Sequence, residues 1–300
     1  MCQFKRAFVF IITMVVSLVV FAAPSFADES SRVLVENSWR FQDGQSITPE
    51  DDSEDAGIST YSLSRLPDGV TAQGIDVSEH QGNINWDAVK ASGVDFAILR
   101  VGFGAPSFGG RTDYQFQRNI SECERLGIPY GIYLYSYAWD DGQAADEAAF
   151  VISNIAGHSP QLPIYYDLED NSIIADGRQG GIASRASVFC NRIINAGYKV
   201  GIYANLNWFN NILTDPVFNS PSWDHWIAQY NYQCDYAGKY SFWQYASDGS
   251  VDGISGSVDM NYAYITIESN EDKWDRADEL AAAHSSDLPD GTYTVASLVS

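Results

Sequence analysis

The residues Leu162-Pro-Ile-Tyr-Tyr-Asp-Leu-Glu-Asp170 combine the composition of a buried strand with acidic residues at its end. Side chains alternate along a strand, so Asp167 and Glu169 are predicted to point to one face while Leu168 points to the other. In a closed βα barrel, catalytic groups lie at the carboxyl-terminal ends of the strands. Two neighbouring carboxylates also perturb each other's pKa, which prepares one as a proton donor and keeps the other anionic. An Asp-x-Glu pair is common at solvated strand ends, so the rest of the chain must decide between these interpretations.

Short apolar runs alternate with amphipathic stretches around this segment, a pattern typical of βα units. Strands are predicted at 74–78, 95–101, 130–136, 162–169 and 199–204, with helices at 86–92, 112–126, 143–156 and 182–196. Three further strands, at 225–230, 241–245 and 258–263, follow too closely for crossover helices. The predicted fold class is therefore α/β, an irregular TIM-like barrel of five βα units followed by three further strands. A doubly wound open sheet stays open as the alternative, because periodicity alone does not exclude it.

Two more acidic residues lie inside apolar strands at the two ends of this order. Asp76 is part of Gly74-Ile-Asp-Val-Ser78, and Asp259 is part of Val258-Asp-Met-Asn261. The first and last strands of a closed barrel are neighbours, so we expect Asp76 and Asp259 to lie near one another. Burying four acids without a purpose is costly, although a helix-cap or turn role could account for either residue alone.

Aromatic side chains are concentrated at the same strand ends. They are Tyr133, Tyr135, Tyr166, Tyr203, Trp226, Tyr230, Trp243 and Tyr245. Alternating aromatics in strands usually belong to the core. Tyr and Trp at strand ends can also stack on the apolar C–H faces of sugar rings, so some of this set are candidates for substrate binding.

The composition excludes several classes of function. The 300 residues include 39 acidic and 17 basic side chains, a formal net charge of −22. This charge argues against nucleic-acid binding and against docking on anionic lipid surfaces. The sequence has no G-x-S-x-G, Walker or G-x-G-x-x-G motif. Its four histidines form no H-x-x-x-H or H-x-H pair, so no zinc site is predicted, while a carboxylate-bound divalent cation stays open.

The ends of the chain differ in composition from its middle. Residues 1–27 have the pattern of a secretory signal peptide, with Lys5-Arg6, an apolar run and small residues before Asp28. A retained membrane anchor is the alternative. Residues 28–70 are predicted to be a disordered acidic linker, and residues 71–267 the barrel. Residues 268–300 are predicted to form a polar helix and then the first strand of a truncated further module, or a strand that returns to the main body.

Cys123, Cys190 and Cys234 remain after removal of the signal peptide. Three widely spaced cysteines cannot form a disulfide framework, and a domain of this size does not need one. Buried free thiols are expected, with a single bridge between two of them as the alternative.

Eight short motifs follow one another along residues 73–264. They are Gly74-Ile-Asp-Val-Ser-Glu-His-Gln-Gly82, Phe96-Ala-Ile-Leu-Arg100, Gly131-Ile-Tyr-Leu-Tyr135, Tyr166-Asp-Leu-Glu169, Gly201-Ile-Tyr203, Trp226-Ile-Ala-Gln-Tyr230, Phe242-Trp-Gln-Tyr245 and Val258-Asp-Met-Asn261. In this order they resemble glycoside hydrolase family 25, the Chalaropsis-type lysozymes or N-acetylmuramidases. Each motif is weak alone, but eight in sequence are specific. The fold of that family, an irregular barrel of five βα units and three further strands, agrees with the strand count above.

The resemblance implies an enzyme that cleaves the β-1,4 bond between N-acetylmuramic acid and N-acetylglucosamine in peptidoglycan. No cofactor or metal is expected, and the signal peptide predicts that the enzyme is secreted. Glu169 would be the general acid and Asp167 would face the anomeric centre, with retention of configuration. The substrate-assisted route is favoured, and direct attack by Asp167 stays open. Asp76 and Asp259 would orient the pair and tune its protonation. The predicted substrate-binding residues are Tyr133, Tyr135, Tyr166, Tyr203 and Trp243.

Peptidoglycan is the expected partner, and the protein is expected to be a monomer that binds neither nucleic acid nor membrane once the signal peptide is removed. Its expected location is extracellular or associated with the cell wall, and a wall- or sugar-binding module would begin near Leu288. Two alternatives stay open. One is a catalytically inactive barrel that only binds glycans, and the other is a metal-dependent polysaccharide deacetylase.

Overall fold

The computed structural model describes residues 41–42, 45–46, 68–231 and 233–267. Strands Phe41–Gln42 (β1) and Gln45–Ser46 (β2) form a short antiparallel pair. The larger sheet contains Ala72–Val77 (β3), Phe96–Phe103 (β4), Arg111–Thr112 (β5), Tyr130–Tyr135 (β6), Ile164–Asp167 (β7), Val200–Asn205 (β8), Trp223–Ala228 (β9), Phe242–Gly249 (β10) and Val258–Ala263 (β11). The α-helices are Trp86–Ala91 (α1), Phe116–Leu126 (α2), Asp141–Asn154 (α3), Ile182–Asn195 (α4) and Leu206–Asn211 (α5).

Eight strands of the larger sheet close into a barrel. The order β3-β11-β10-β9-β8-β7-β6-β4 returns to its start because β4 also pairs with β3, and β5 extends β4 as an outer edge. Strands β3 to β10 around the barrel run parallel, whereas β11 is antiparallel to both of its neighbours. The predicted irregular barrel is confirmed, and closure excludes the doubly wound open sheet.

The helices follow the first five barrel strands, and within the described residues no α-helix lies between β9 and β10 or between β10 and β11. Local sequence explains their ends. The side chain of Asp140 caps α3 by accepting from the Gln143 N–H, and Gly127 ends α2 in a left-handed conformation with φ of 65°. The predicted start of α2 at residue 112 is wrong, because Arg111 and Thr112 pair with β4 instead.

Two apolar layers fill the domain. One lies between the sheet and the helices. The other lies inside the barrel and consists of Ala72, Phe96, Ile98, Leu162, Tyr165, Tyr203, Trp226, Ala228, Phe242 and Ala263. Large rings occupy this interior because glycines on neighbouring strands leave room for them. The interior of the barrel is therefore a packed core.

The segments predicted at the two ends of the chain lie mostly outside the residues that the structure describes. The predicted signal peptide, most of the acidic segment and residues 268–300 lie outside them, so those boundaries stay predictions. Among the described residues, no helix has the length and apolar character needed to cross a membrane. Cys123 and Cys190 are buried free thiols and Cys234 is a partly buried one, so the expectation of free thiols is confirmed for these three.

Packing inside the barrel leads to a testable prediction at Gly201. A Cβ atom there would lie 2.5 Å from the Tyr165 ring and 2.8 Å from the Asp224 carbonyl oxygen. We expect Gly201→Ala to destabilise the protein by about 1–3 kcal/mol, because the ring must move within a packed interior. Chemical denaturation measures this change. Gly180→Ala is the matched control, since its Cβ would have no neighbour within 4 Å; equal stabilities of the two variants would contradict the packing argument.

Candidate active site

Asp167 and Glu169 lie at the carboxyl-terminal mouth of the barrel. Asp167 is the last residue of β7, and Glu169 follows two residues later. Leu168 between them is 1% exposed and belongs to the layer beneath the helices. Asp167 pairs in register with Tyr135 on β6 and with Tyr203 on β8. The alternation predicted from the sequence is therefore present, and the two carboxylates share the inner face.

Asp76 and Asp259 lie on the facing side of the same mouth. The two residues are direct partners in the antiparallel pairing of β3 with β11, and their carboxyl groups are hydrogen-bonded to each other. Asp76 also accepts hydrogen bonds from the side-chain amides of Gln244, at 2.9 Å, and Asn261, at 2.8 Å. The expected proximity of Asp76 and Asp259 is thus present, and two amides fix the orientation of Asp76.

The electrostatics of the β7 pair favour a proton on Glu169 at neutral pH. Burial raises the pKa of Glu169 to about 8, and the negative charges of Asp170 and Asp76 act in the same direction. Burial also raises the pKa of Asp167, and the negative charge of Glu169 acts in the same direction once Glu169 is ionised. Four carboxyl groups around one mouth therefore carry fewer than four negative charges near pH 7.

One oxygen of the Asp167 carboxyl is available to a ligand. Asp167 is 2% exposed. Its Oδ1 atom is buried and accepts no hydrogen bond from any residue that the structure describes. A buried acceptor without a donor is costly. The atom is therefore suited to accept a hydrogen bond from a ligand that enters the mouth.

Asp76 and Asp259 respond to their surroundings differently from the β7 pair. Burial raises the pKa of Asp76 only to about 6, because the hydrogen bonds from Asn261 and Gln244 favour its ionised form. The pKa of Asp259 is raised by burial and by the charge of Asp76. The two amide donors therefore make Asp76 the more readily ionised member of this pair.

Three of the five predicted substrate-binding aromatics face the mouth. Tyr203 donates a hydrogen bond to Gln244 and packs at 4.4 Å from Trp226, and Tyr135 donates to Asp170. Tyr133 packs edge-on against Trp226 at 5.9 Å. These three residues therefore surround the carboxylates.

The other two aromatics lie on the opposite faces of their strands. Tyr166 is 0% exposed, stacks on Phe189 at 3.9 Å and donates its hydroxyl hydrogen to Glu147. Its predicted role in substrate binding is wrong, because the alternation that turns Asp167 inward turns its neighbour outward. Trp243 is 2% exposed and donates to the carbonyl of Gln229.

The prediction for Trp243 is wrong for the same reason. Gln244, the next residue, points inward to Asp76, so Trp243 points outward and packs against Tyr245 and Tyr262. Strand alternation leaves neither Tyr166 nor Trp243 a surface that a ligand in the mouth could contact.

Sequence reasoning missed several residues that shape the mouth. Gln244 contacts Asp76, Tyr203 and the hydroxyl of Tyr230, and is 2% exposed. Asn261 donates to Asp76 and accepts from the Trp226 indole. The available signal was a polar amide in the middle of an apolar strand, which is rarely buried without a partner.

No metal centre is found beside these carboxylates. Among residues 68–231 and 233–267, no group of three or more His, Cys, Asp or Glu side chains has an arrangement that could hold a metal ion. A cavity of about 1440 Å³ lies at the other end of the barrel, lined by residues such as Lys199, Trp223 and Lys239, and includes none of the four carboxylates. The candidate site is therefore the mouth and not this cavity.

Comparison with known proteins identifies a family for this arrangement. The sequence profile of glycosyl hydrolases family 25 matches residues 75–254. This span includes Asp76, Asp167 and Glu169 and ends shortly before Asp259. The family resemblance noted from the sequence motifs is thereby confirmed.

Individual relatives match the barrel and extend beyond it. Lysozyme M1 of Streptomyces globisporus is 30% identical over 202 residues, which are 63% of this chain and 66% of the relative. Autolytic lysozyme of Clostridium acetobutylicum is 28% identical over 191 residues, 63% of this chain and 55% of the relative. The solved structure of the modular autolysin LytC from Streptococcus pneumoniae, in complex with a synthetic peptidoglycan ligand, has 31% identity and a TM-score of 0.57. It covers 64% of this chain and 46% of its own. The chain thus spans about half to two thirds of the length of these proteins.

The raised pKa of Glu169 predicts how stability depends on pH. The ordinary value of 4.5 applies to the unfolded chain, whereas the folded value is about 8. The folded state therefore binds more protons between these values, and stability falls as pH rises through this range. Near about pH 9 we expect the free energy of unfolding of Glu169→Gln to exceed that of the wild type by roughly 1–3 kcal/mol, a range that allows for the partial exposure of Glu169. Thermal unfolding of the two proteins measures this difference.

The control for this measurement is Asp252→Asn, which removes an exposed acid. Near about pH 3 the advantage of Glu169→Gln should vanish, because below the ordinary value of 4.5 Glu169 is protonated in both the folded and the unfolded state. An advantage that is equal at both pH values would contradict the assigned protonation of Glu169.

Proposed function

The chain belongs to the glycosyl hydrolases of family 25, and from this premise we propose that it is a secreted peptidoglycan hydrolase. It cleaves the β-1,4 bond between N-acetylmuramic acid and N-acetylglucosamine. The anomeric configuration is retained, and the N-acetyl group of the substrate is the nucleophile. The observation that carries this proposal is the pair at the end of β7, in which Glu169 is protonated at neutral pH and Asp167 has a buried oxygen that accepts no described hydrogen bond.

Glu169 is the general acid in this proposal. Its raised pKa keeps the proton available at neutral pH, and the proton passes to the glycosidic oxygen as the bond to the leaving sugar breaks. Glu169 is then ionised and accepts a proton from the water that completes hydrolysis. A pKa of about 8 suits both roles near neutral pH.

Asp167 assists the substrate's own acetamido group. The amide N–H of that group donates to the buried Oδ1, which holds the carbonyl oxygen beneath the anomeric carbon. Attack by the carbonyl oxygen breaks the glycosidic bond and forms a cyclic oxazolinium ion, which keeps its N–H hydrogen-bonded to Asp167. Water then opens this ion from the other face and restores the acetamido group. Two inversions at one carbon give retention. Direct attack by Asp167 is the alternative within the same site.

Asp76 and Asp259 are positioning residues. Asp76 is fixed by Gln244 and Asn261, and its negative charge raises the pKa of both Glu169 and Asp167. Asp259 holds Asp76 through their shared hydrogen bond. The inner aromatics Tyr133, Tyr135 and Tyr203 border the sugar rings in this arrangement.

Location and domain organisation follow from the same proposal. Residues 1–27 direct secretion, and residues 28–70 space the barrel from the amino terminus. The enzyme acts as a monomer on cell-wall peptidoglycan. It requires no cofactor, nucleic acid or membrane.

Neither alternative function gains support from the comparisons. The curated relatives described above are named lysozymes, not deacetylases. A glycan-binding barrel without catalysis would not require a carboxyl group with its pKa raised to about 8. Activity that survives a chelator and releases reducing ends without acetate would exclude the deacetylase.

We expect the wild type to clear a suspension of bacterial cell walls and Glu169→Gln to lose about 10²–10⁴-fold in rate, because the proton donor is removed. Turbidity measures the rate. Mass analysis of the fragments should show N-acetylmuramic acid at the new reducing ends. Asp87→Asn, an exposed acid on α1, is the matched control. Equal clearing by wild type and Glu169→Gln, or N-acetylglucosamine at the reducing ends, would refute the assignment.

The nucleophile is tested with substrates in which the acetyl methyl group carries one, two or three fluorine atoms. Fluorine weakens the carbonyl oxygen as a nucleophile, so kcat should fall stepwise in the substrate-assisted route. Rates that do not depend on fluorination would instead indicate direct attack by Asp167.

The role of Asp76 is tested by the pH dependence of kcat in Asp76→Asn. Removal of this negative charge lowers the pKa of Glu169, so the alkaline limb of the profile should move to lower pH. A structural role alone would lower the rate at all pH values without moving the limb, and that result would contradict the prediction.

A further inference from the structure

The segment that follows β6 presents aromatic side chains in a row leading away from the carboxylates. Residues 135–139 alternate in burial, with Ser136 and Ala138 buried and Tyr137 and Trp139 exposed. Tyr137 is 39% exposed and Trp139 is 51% exposed. Tyr135, at the inner end, packs against Tyr137 at 5.2 Å. We call Tyr135, Tyr137 and Trp139 the aromatic row.

A buried acid supports the aromatic row from beneath. Glu147 on α3 is 0% exposed and accepts hydrogen bonds from the Ser136 hydroxyl and the Tyr137 N–H, both at 2.9 Å. The same carboxyl group accepts from the hydroxyl of Tyr166, the residue that precedes Asp167 on β7. The row and the end of β7 are therefore held by one side chain, which fixes the row relative to the catalytic pair.

A buried arginine fixes the outer end of the row. Arg185 on α4 is 3% exposed and donates to the backbone carbonyls of Trp139, Arg178 and Ile173. These three carbonyls belong to the segments that follow β6 and β7. Arg185 thereby holds the backbones of Trp139 and Arg178 near each other, and the Arg178 guanidinium lies over the Trp139 ring at 4.9 Å. Trp139 is thus held in place although half of its surface is open.

An exposed and preorganised tryptophan is suited to bind a ring with an apolar face. The charges around it indicate whether that ring is neutral. Asp140 and Asp141 follow Trp139 directly, and Asp176 lies 3.4 Å from Arg178. These acids offset the positive charge of Arg178 over the Trp139 ring, and Arg185 is buried beneath it, so an anionic ligand gains little there.

We propose that the aromatic row is an extended substrate subsite that binds a neutral N-acetylhexosamine ring of the glycan strand, with Trp139 as its outer platform. The occupant is the same strand that is cut at Glu169, at a sugar beyond the two that flank the broken bond. The inference rests on the proposed function, because the occupant is the proposed substrate. It adds Trp139 and Tyr137 as substrate-binding residues and Arg185 and Glu147 as positioning residues.

The test compares Trp139→Ala with the wild type on glycan strands of increasing length. The subsite is filled only by long strands, so KM should rise about three- to tenfold on long strands with kcat unchanged. The shortest strand that is cut should show no difference. Trp139→Phe should fall between the two proteins, because it keeps a smaller ring. Ile194→Ala, an exposed apolar residue at the other end of the barrel, is the matched control.

Equal KM values for wild type and Trp139→Ala on long strands would overturn the subsite. A KM difference that disappears at high salt would also overturn it, because it would indicate an anionic group bound by Arg178 instead of a stacked neutral ring. A KM difference of the same size on the shortest strand would overturn the subsite as well, because it would indicate general damage to the site and not the loss of contacts to an outer sugar.

Direct binding separates this inference from the proposed function. Calorimetry with N-acetylglucosamine oligomers of increasing length needs no turnover and can use the wild type, Trp139→Ala and Glu169→Gln. If the wild type fails to release reducing ends but binds long oligomers more weakly after Trp139→Ala, the proposed function fails and the subsite stands. If the wild type is active and binding does not depend on Trp139, only the subsite fails.

Discussion

The antiparallel pairing of β11 with β3 is the constraint on which the site depends. It closes the barrel and sets Asp259 directly opposite Asp76 in register. In the closed ring, this pair faces the end of β7 across the mouth, and the charges of the two groups act on each other. A shift of one residue in the register would turn Asp259 away from Asp76. The geometry of the four acids is thus a property of the closed sheet.

Closure also determines the protonation of the acids. A carboxylate at the rim of a packed barrel loses water on most sides, and burial is the largest cause of the raised pKa in all four groups. The hydrogen bonds differ between them. Asp76 has two amide donors and is shifted least, whereas Asp167 Oδ1 has none among the described residues. The same fold therefore keeps Asp76 anionic and Glu169 protonated at neutral pH.

The sequence predicted the barrel and the acidic residues because both depend on periodicity. Apolar runs at regular spacing locate the strands, and a spacing of two residues places Asp167 and Glu169 on one face. The roles of the aromatic residues were less predictable, because tertiary contacts decide which alternate side chains of a strand point into the barrel. Trp243 points outward since Gln244 is hydrogen-bonded to Asp76, a contact between residues 168 positions apart. Tyr166 could have been excluded from the position of Asp167 alone.

Residues outside the strands were the least predictable part of the site. Nothing in the local pattern around Arg185 or Glu147 indicates that these charged helix residues are buried and hold the segments after β6 and β7. Their roles arise from the packing of α3 against α4 over the ends of two strands. Glycine positions, in contrast, follow directly from the need for ring space inside the barrel, as at Gly201.

The central claim is that burial among acids keeps Glu169 protonated at neutral pH. Carbon NMR of protein labelled at the glutamate carboxyl groups tests it most directly, with the Glu169 signal assigned by its loss in Glu169→Gln and that of Glu147 by its loss in Glu147→Gln. The account predicts a titration midpoint for Glu169 at about 8. A midpoint near the ordinary value of 4.5 would contradict it.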